Sequence, residues 1–560
     1  FPRMPEGGLV RFGVGRARDA WQVAFDRPIA RREARTPDGV VPLVDWAEAQ
    51  ARAGHWVAVV LAYEAAPSFD AALVTQPAPD GLPFAWAAAY GEADRVLVDS
   101  LASVPGVTAP PIDWRAAIDQ LRFTQDVEAI LARIAAGDTY QVNYTFPLTT
   151  VFEADPLAWW QACAAAADVP YAAYLDLGSH VVMSLSPELF IARQADVLRA
   201  RPMKGTARRG RWRDEDRALA AELGASAKAR AENVMIVDLL RNDIGRVART
   251  GTVRAADLCR LERYPTVWQL TSSIEARVAE GVDLVGILRA VFPCGSVTGA
   301  PKVRTMAIIA GLESAARGVY TGAIGLLEPG GDATFSVPIR TAVLNRASGV
   351  ATFHVGAGIV ADSVPSEEWQ ECLAKARVVR PPAVTDDVAL LETLRLEGGV
   401  LIRREEHVAR VVASADLFGW VVPVAAIEAA CDSVAAQHPA GLWRVRLRVE
   451  RTGVVEASAV PFEPDARPWH VRLATEPVDA RSPLLFNKTT DRRLYDRARA
   501  ACPEADDVLL WNGRGELTES TVANVVVELD GQRVTPPVSC GLLPGVLRGV
   551  LVARGEVQER

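Results

Sequence analysis

The stretch RPPAVTDD, Arg380 to Asp387, divides the chain. Adjacent prolines fix φ and remove two backbone donors, so neither a helix nor a central strand runs through them and an extended connector remains. The whole sequence has 560 residues, more than one ordinary hydrophobic core serves. Together these features predict a domain over residues 1–379, a linker over 380–387 and a second domain over 388–560. A further breaker-rich segment, SVPGVTAPPIDW (Ser103 to Trp114), interrupts the first domain.

Composition narrows the function classes. Half of the residues are apolar, enough for real cores, and the net charge is −8. Lysines and arginines are scattered, which leaves no footprint for a nucleic acid. The one basic run, ARRGRWR (Ala207 to Arg213), reads as a solvated loop. Seven cysteines show no C-x-x-C pair and no ligand-like spacing, so neither zinc nor a disulfide framework is expected. No long uncharged apolar run and no signal pattern occur, and the chain is read as cytoplasmic, without a membrane partner.

Strand-like runs such as SHVVMSLS and VYTGAIGLLE alternate with helical patterns, which predicts an α+β fold. The run TQDVEAILARIAAG predicts a helix capped by Thr124, with Val127, Ile130, Leu131 and Ile134 on its buried stripe and Gly137 as its stop. In SEEWQECLAKAR, Ser366 is the expected N-cap, and Glu368, Glu371 and Lys375 fall on one helical face. A surface ion pair between Glu371 and Lys375 explains that spacing as well as a binding site does. The run AENVMIVDLLRNDIGRV is apolar nearly all round, so its helix is expected to be buried, and Glu232 at its head then needs a partner. Glutamates from these two helices converging on Mg²⁺ would satisfy both, since that ion takes oxygen ligands.

Anion-binding turns accompany the carboxylates. CGSVTGAPK sets Gly295, Ser296, Thr298 and Gly299 before Pro301 at a helix start. Gly356 and Gly358 allow close backbone approach, and Arg340 is expected on a strand, where a guanidinium grips a carboxylate.

The ordered motifs SLSPELF, RPMKGTARRG, AENVMIVDLLRNDIGRV, CGSVTGAPK, VYTGAIG, IRTAV, GAGIVADS and QECLAKA resemble the chorismate-utilising enzymes. The match is dense over residues 120–378, and AGDTYQVNYTF is similar to the same family's N-terminal half. The resemblance implies a large β-sandwich and helix domain that binds chorismate and Mg²⁺. Within the family, alanine before the Gly-Thr pair typifies anthranilate synthases, and lysine typifies the component that makes 4-amino-4-deoxychorismate. Lys204 therefore implies the latter, on the route to 4-aminobenzoate and folate. By this likeness its amine adds at ring carbon C2 as the C4 hydroxyl leaves, and ammonia then adds at C4 as the lysine departs. An ordinary lysine with a pKa of about 10.4 is neutral in only about one part in a thousand at pH 7, so the site must lower it. Glu188 is implied as the general acid, Glu232 and Glu371 with Glu368 in support as Mg²⁺ ligands, and Thr206, Ser296, Tyr320, Arg340, Gly356, Gly358 and Lys375 as substrate contacts. The family's frequent histidine in H-L-x-S is Gln269 here.

From Val388 onward, LLETLRLEGG, REEHVARVVASADLFG, FNKTTDRRLYD, ELTESTVANVVVELDG and GLLPGVLRG resemble the fold-type IV pyridoxal-phosphate enzymes, above all the aminodeoxychorismate lyases. This implies a smaller α+β domain in which Lys488 binds the cofactor and carries the proton. Glu519 would face the pyridinium nitrogen, while Arg410 and the backbone at Val546 and Leu547 would hold the phosphate. Relatives continue through further strands beyond LVARG. No G-x-C-x-G glutaminase pattern occurs, so ammonia is expected from a separate glutamine amidotransferase subunit. Two other readings stay open: an anthranilate synthase-like half joined to an aminotransferase-like half, and a chorismate-binding scaffold for a glutaminase.

Overall fold

The computed structural model describes residues 10–14, 21–25, 27–91, 94–97, 112–167, 169–264, 266–376 and 388–560. The expected linker over 380–387 lies outside the described residues, as does most of the proline-rich segment Ser103 to Trp114. The chain forms two compact units, Phe1–Thr206 with Leu223–Pro382, and Ala207–Glu222 with Ala383–Arg560.

In the first unit alternation fixes which side chain goes where. Along the strand Ala85–Tyr90, Ala85, Ala87 and Ala89 join the core beneath the helix Val40–Arg52, and Trp86, Ala88 and Tyr90 join the core between two sheets. All six are buried, because this sheet is covered on both faces. Among the described residues each of the two sheets has ten strands. One carries the neighbours Gln141–Val151, Val350–Ile359, Thr341–Asn345 and His180–Ser186; the other carries Met203–Arg208, Val267–Arg277, Val197–Arg201 and Leu189–Gln194. Helices Val40–Arg52, Ala227–Gly245 and Leu284–Val291 pack on the second sheet, while Gln120–Ala135, Pro156–Ala167 and Pro365–Ala376 cover the first. The sandwich with outer helices matches the expected fold class.

Three helix expectations need correction. The helix over Gln120–Ala135 begins a turn before Thr124, because Asp119 accepts the Arg122 amide at 2.8 Å and caps it. Its end is as expected, with Gly137 in the left-handed region at φ +80°. Ser366 lies inside the helix Pro365–Ala376 rather than capping it. The helix Ala227–Gly245 is amphipathic rather than buried all round: Ile236, Val237 and Leu240 face the core while Val234 is exposed.

The second unit packs helices Arg404–Phe418 and Val424–Gln437 on a four-stranded sheet that includes Leu390–Glu397 and Leu442–Val449. A second core lies around Phe486, Val508 and Leu510. Residues 207–222 belong to this unit, which the sequence reading did not anticipate. The basic run within them is not a solvated loop either. The Arg209 guanidinium makes two 2.8 Å bonds to Asp216, Gly210 is buried, and Arg211 pairs with Glu215 at 2.9 Å. Carboxylates four and seven residues onward give the arginines local partners. All seven cysteines are buried and free. Among the described residues no helix is long and apolar enough to cross a membrane.

Candidate active sites

Lys204 lies on the strand Met203–Arg208. Burial, helped by the Lys375 charge, pushes its ammonium below the usual lysine range, while Glu188, Glu232 and Glu371 act in the opposite direction. Its Nζ has no hydrogen bond or ion pair among the described residues. Opposite it, a Cβ added to Gly358 would sit 3.0 Å from Lys204 Nζ, 3.1 Å from Asn143 Oδ1 and 3.2 Å from Gln141 Nε2. A side chain at 358 would therefore crowd the amine and its two amide neighbours. Gln141, 1 % exposed, points an amide nitrogen without a hydrogen-bond partner into the same space.

Glu188 precedes the strand Leu189–Gln194 and is buried. Desolvation raises its carboxyl to about 7, although Ser296 donates its hydroxyl to Oε1 at 2.6 Å and Lys204 adds positive charge. Ser296 thus holds the acid. Cys294 lies 3.1 Å from the Ser296 oxygen, its thiol pushed up to about 12 by burial.

The carboxylate helix behaves as its spacing foretold. Glu371 and Lys375 pair at 2.8 Å, and Lys375 also donates to the Gly356 carbonyl at 2.8 Å. The Lys375 charge holds Glu371 below its ordinary value, whereas burial raises Glu232 and Glu368, and Glu368 accepts the Ser363 hydroxyl at 2.7 Å. Among the described residues no group of three or more His, Cys, Asp or Glu side chains is gathered closely enough to hold a metal by itself. Glu232 and Glu371 feel each other's charge and that of Lys204. Such a pair suits Mg²⁺, which ordinarily takes one or two carboxylates and completes its shell with substrate oxygens and water.

The remaining positions are less uniform. Tyr320 is buried and stacks on His354 with ring centroids 5.2 Å apart. Thr206 gives its hydroxyl to Gln269 at 2.8 Å, and Gln269 Nε2 donates to the Gly205 carbonyl at 2.9 Å, so this glutamine braces the lysine strand. Arg340 is not on a strand. It occupies the bend before Thr341–Asn345 with φ +54°, a left-handed conformation rare outside glycine, and burial lowers its guanidinium to about 10. No carboxylate pairs with it among the described residues, which leaves the guanidinium open to an anion.

Beneath the site, Arg317 pairs with Glu313 at 2.7 Å and donates to the carbonyls of Val297 at 2.9 Å and Asn143 at 2.7 Å. Glu313 in turn accepts the Thr145 amide and hydroxyl, each at 2.9 Å. Sequence reasoning missed this network and Gln141. The i,i+4 pair in ESAAR looks like any exposed helix pair until its burial is known.

In the second unit, burial lowers the Lys488 ammonium, with Glu392, Arg410, Arg492 and Glu519 around it. Glu519 is 4 % exposed, accepts the Tyr495 hydroxyl at 2.9 Å and the Leu543 amide at 3.1 Å, and is raised to about 7 by burial. Arg410 is held by Glu392 at 2.7 and 2.6 Å and reaches the Pro544 carbonyl at 3.2 Å. Just beyond, Val546 and Leu547 open the helix Val546–Ala553, whose N-terminus has no side-chain cap. A buried amine, a buried carboxyl, a guanidinium and an uncapped helix start fit a pyridine aldehyde carrying a phosphate.

Residues 39–381 match the model for chorismate binding enzymes. The chain belongs to this family. Residues 389–560 match the amino-transferase class IV model, so the protein joins a chorismate-binding domain to a class IV domain. Aminodeoxychorismate synthase component 1 of Bacillus subtilis is 42 % identical over 254 residues, 45 % of this chain and 54 % of that protein. Anthranilate synthase component 1 of Aquifex aeolicus is 39 % identical over 267 residues, 48 % of this chain and 54 % of its own length. The chain thus spans about half the length of these curated relatives. The fold is shared with anthranilate synthase component I of Streptococcus pneumoniae at TM-score 0.53 and 24 % identity, over 68 % of this chain and 94 % of that one.

Proposed function

We propose that this chorismate-family enzyme aminates chorismate to 4-amino-4-deoxychorismate and then releases pyruvate from it to give 4-aminobenzoate. The observation that carries the reading is Lys204: a half-buried amine with no hydrogen bond or ion pair among the described residues, its pKa lowered by desolvation, beside a carboxyl that burial keeps protonated to about pH 7. Lys204 Nζ forms a bond to C2 while the C4–oxygen bond breaks, and the Glu188 proton leaves with that oxygen as water. Ammonia then bonds to C4 as the C2–nitrogen bond breaks, and its surplus proton returns to Glu188. Two allylic displacements replace one difficult substitution with retained geometry. Mg²⁺ on Glu232 and Glu371, with Glu368 in support, would bind the ring carboxylate, and Arg340 would take the second carboxylate. Ammonia would come from a separate glutamine amidotransferase.

In the second unit, pyridoxal phosphate would supply an electron sink. Lys488 Nζ would carry the proton between substrate carbons, Glu519 would face the ring nitrogen, and Arg410 with the amides of Val546 and Leu547 would hold the phosphate. The relatives include anthranilate synthases of similar identity, so product analysis is the decisive test. The purified chain, given chorismate, ammonium and Mg²⁺, should yield aminodeoxychorismate by mass spectrometry, and 4-aminobenzoate when pyridoxal phosphate is added. Lys204→Ala should abolish the first product. Anthranilate as the product, or full turnover in that variant, would refute the assignment.

A further inference from the structure

Lys204 lies three positions before residues 207–222, which belong to the second unit. Their contacts within that unit converge on one place. The Trp212 ring stacks on Phe486, centroids 5.0 Å apart at 26°. The Arg211 guanidinium lies 4.9 Å from the Trp212 ring and 4.8 Å from Phe486, and donates to the Ala480 carbonyl at 3.1 Å. Asn487, 4 % exposed, donates its amide to the Arg211 carbonyl at 2.9 Å and to the Pro483 carbonyl at 2.8 Å. The residue after Asn487 is Lys488. Arg209 adds a second anchor, donating to the Leu417 carbonyl at 2.8 Å, at the end of the helix that carries Arg410.

A lysine that must meet a bound aldehyde needs a backbone held from both sides. Downstream, Leu390 bridges to Thr489, and the Lys488 carbonyl accepts the Leu391 amide at 2.9 Å. Upstream, Phe486 and Asn487 are held by Arg211 and Trp212, which lie in sequence outside the class IV match of residues 389–560. We propose that residues 207–222 are a working part of the class IV unit, in which Arg211 and Trp212 position Lys488 through Phe486 and Asn487. The inference rests on the reading of Lys488 as the cofactor lysine. A segment that lies within the chorismate-binding match of residues 39–381 thus braces the residues before Lys488.

The test uses the full chain and pyridoxal phosphate alone. Titration of the visible band that Lys488→Ala abolishes gives the affinity and the pH midpoint of the bound cofactor. Trp212→Ala and Asn487→Ala should each weaken binding on the order of tenfold, as supporting partners of a ligating group ordinarily do, and move the midpoint. Trp212→Phe, which keeps an aromatic face on Phe486, should restore both. Arg217→Ala, at the exposed pair with Asp416, should bind like the parent. Parental affinity and midpoint in both Trp212→Ala and Asn487→Ala would overturn the inference and leave the cofactor reading intact. An equal loss in Arg217→Ala would also overturn it, by showing a general loosening. If Trp212→Ala does not fold, Asn487→Ala and Trp212→Phe decide. A parent chain that takes up no cofactor would overturn both readings.

Discussion

Ser296 donates a hydrogen bond from its hydroxyl to Glu188 at 2.6 Å, and that bond stabilises the ionised form of an acid that burial otherwise keeps neutral. The protonated form is the one that can deliver a proton to a departing hydroxyl, so chorismate amination should decline as pH rises through about 7. Ser296→Ala removes the stabilising donor and should move this alkaline limb upward. Glu188→Gln should lose about 10²–10⁴-fold in turnover, the usual worth of a general acid.

The same shift predicts a stability trade. Folded Glu188 binds its proton more tightly than the unfolded chain, so its contribution weakens as pH rises from 4.5 to about 7. Glu188→Gln cannot ionise. It should therefore melt higher than the parent at pH 8, with the difference shrinking toward pH 5. A constant difference across that range in calorimetry would mean the carboxyl is not desolvated as described.

Gly358 leaves space for the Lys204 amine, since a Cβ there would lie 3.0 Å from Nζ. Gly358→Ala sits on the strand Val350–Ile359, and no left-handed φ opposes the change. Its effect should fall on chemistry rather than folding. Crowding at that distance displaces the amine by a few tenths of an ångström, and since a misplacement of about 1 Å costs on the order of 10²-fold, turnover should drop several-fold while the melting temperature barely moves.

These positions show what the sequence made legible. Glu371 and Lys375 pair as their spacing predicts, and a Cβ at Gly356 or Gly358 would crowd neighbouring strands and side chains. The outer frame was legible too, because buried strands and amphipathic helices announce themselves by period, although the caps expected at Thr124 and Ser366 lie inside their helices. The hydroxyl that Ser296 donates to Glu188 reaches a partner 108 residues away, which no local pattern announces. The same blindness hid Gln141 and Arg317, whose roles depend on which strands become neighbours. Arg209 to Arg211 misled for a related reason: arginines look solvated in a sequence, and only the fold supplies the aromatic rings and carbonyls that receive them.

Metal dependence offers another check. Glu371 is held ionised by Lys375, so it should be the carboxylate readiest to meet a cation near neutral pH, whereas burial raises Glu232. After chelation, chorismate consumption should return on adding Mg²⁺. Glu371→Gln should raise the half-saturating Mg²⁺ concentration by at least about tenfold, in the range that loss of a metal-site partner ordinarily costs. An unchanged Mg²⁺ requirement in Glu371→Gln and Glu232→Gln would remove both from the metal site.

Arg317 and Glu313 lie nearly without exposure, 1 % and 3 %, and together tie the Val297 turn to the strand that bears Gln141 and Asn143. Breaking such a pair leaves a buried charge uncompensated and costs about 3–5 kcal/mol, whereas replacing both partners by apolar groups relieves much of that cost. Arg317→Met should accordingly lower the urea midpoint strongly, and adding Glu313→Leu should recover part of it. The double variant tests function separately from folding, because the Val297 and Asn143 carbonyls still lose their common donor. Its stability should improve on the single variant while chorismate turnover stays low. Recovery of both together would mean that the network only holds the fold and does not set the floor beneath Ser296 and Gln141.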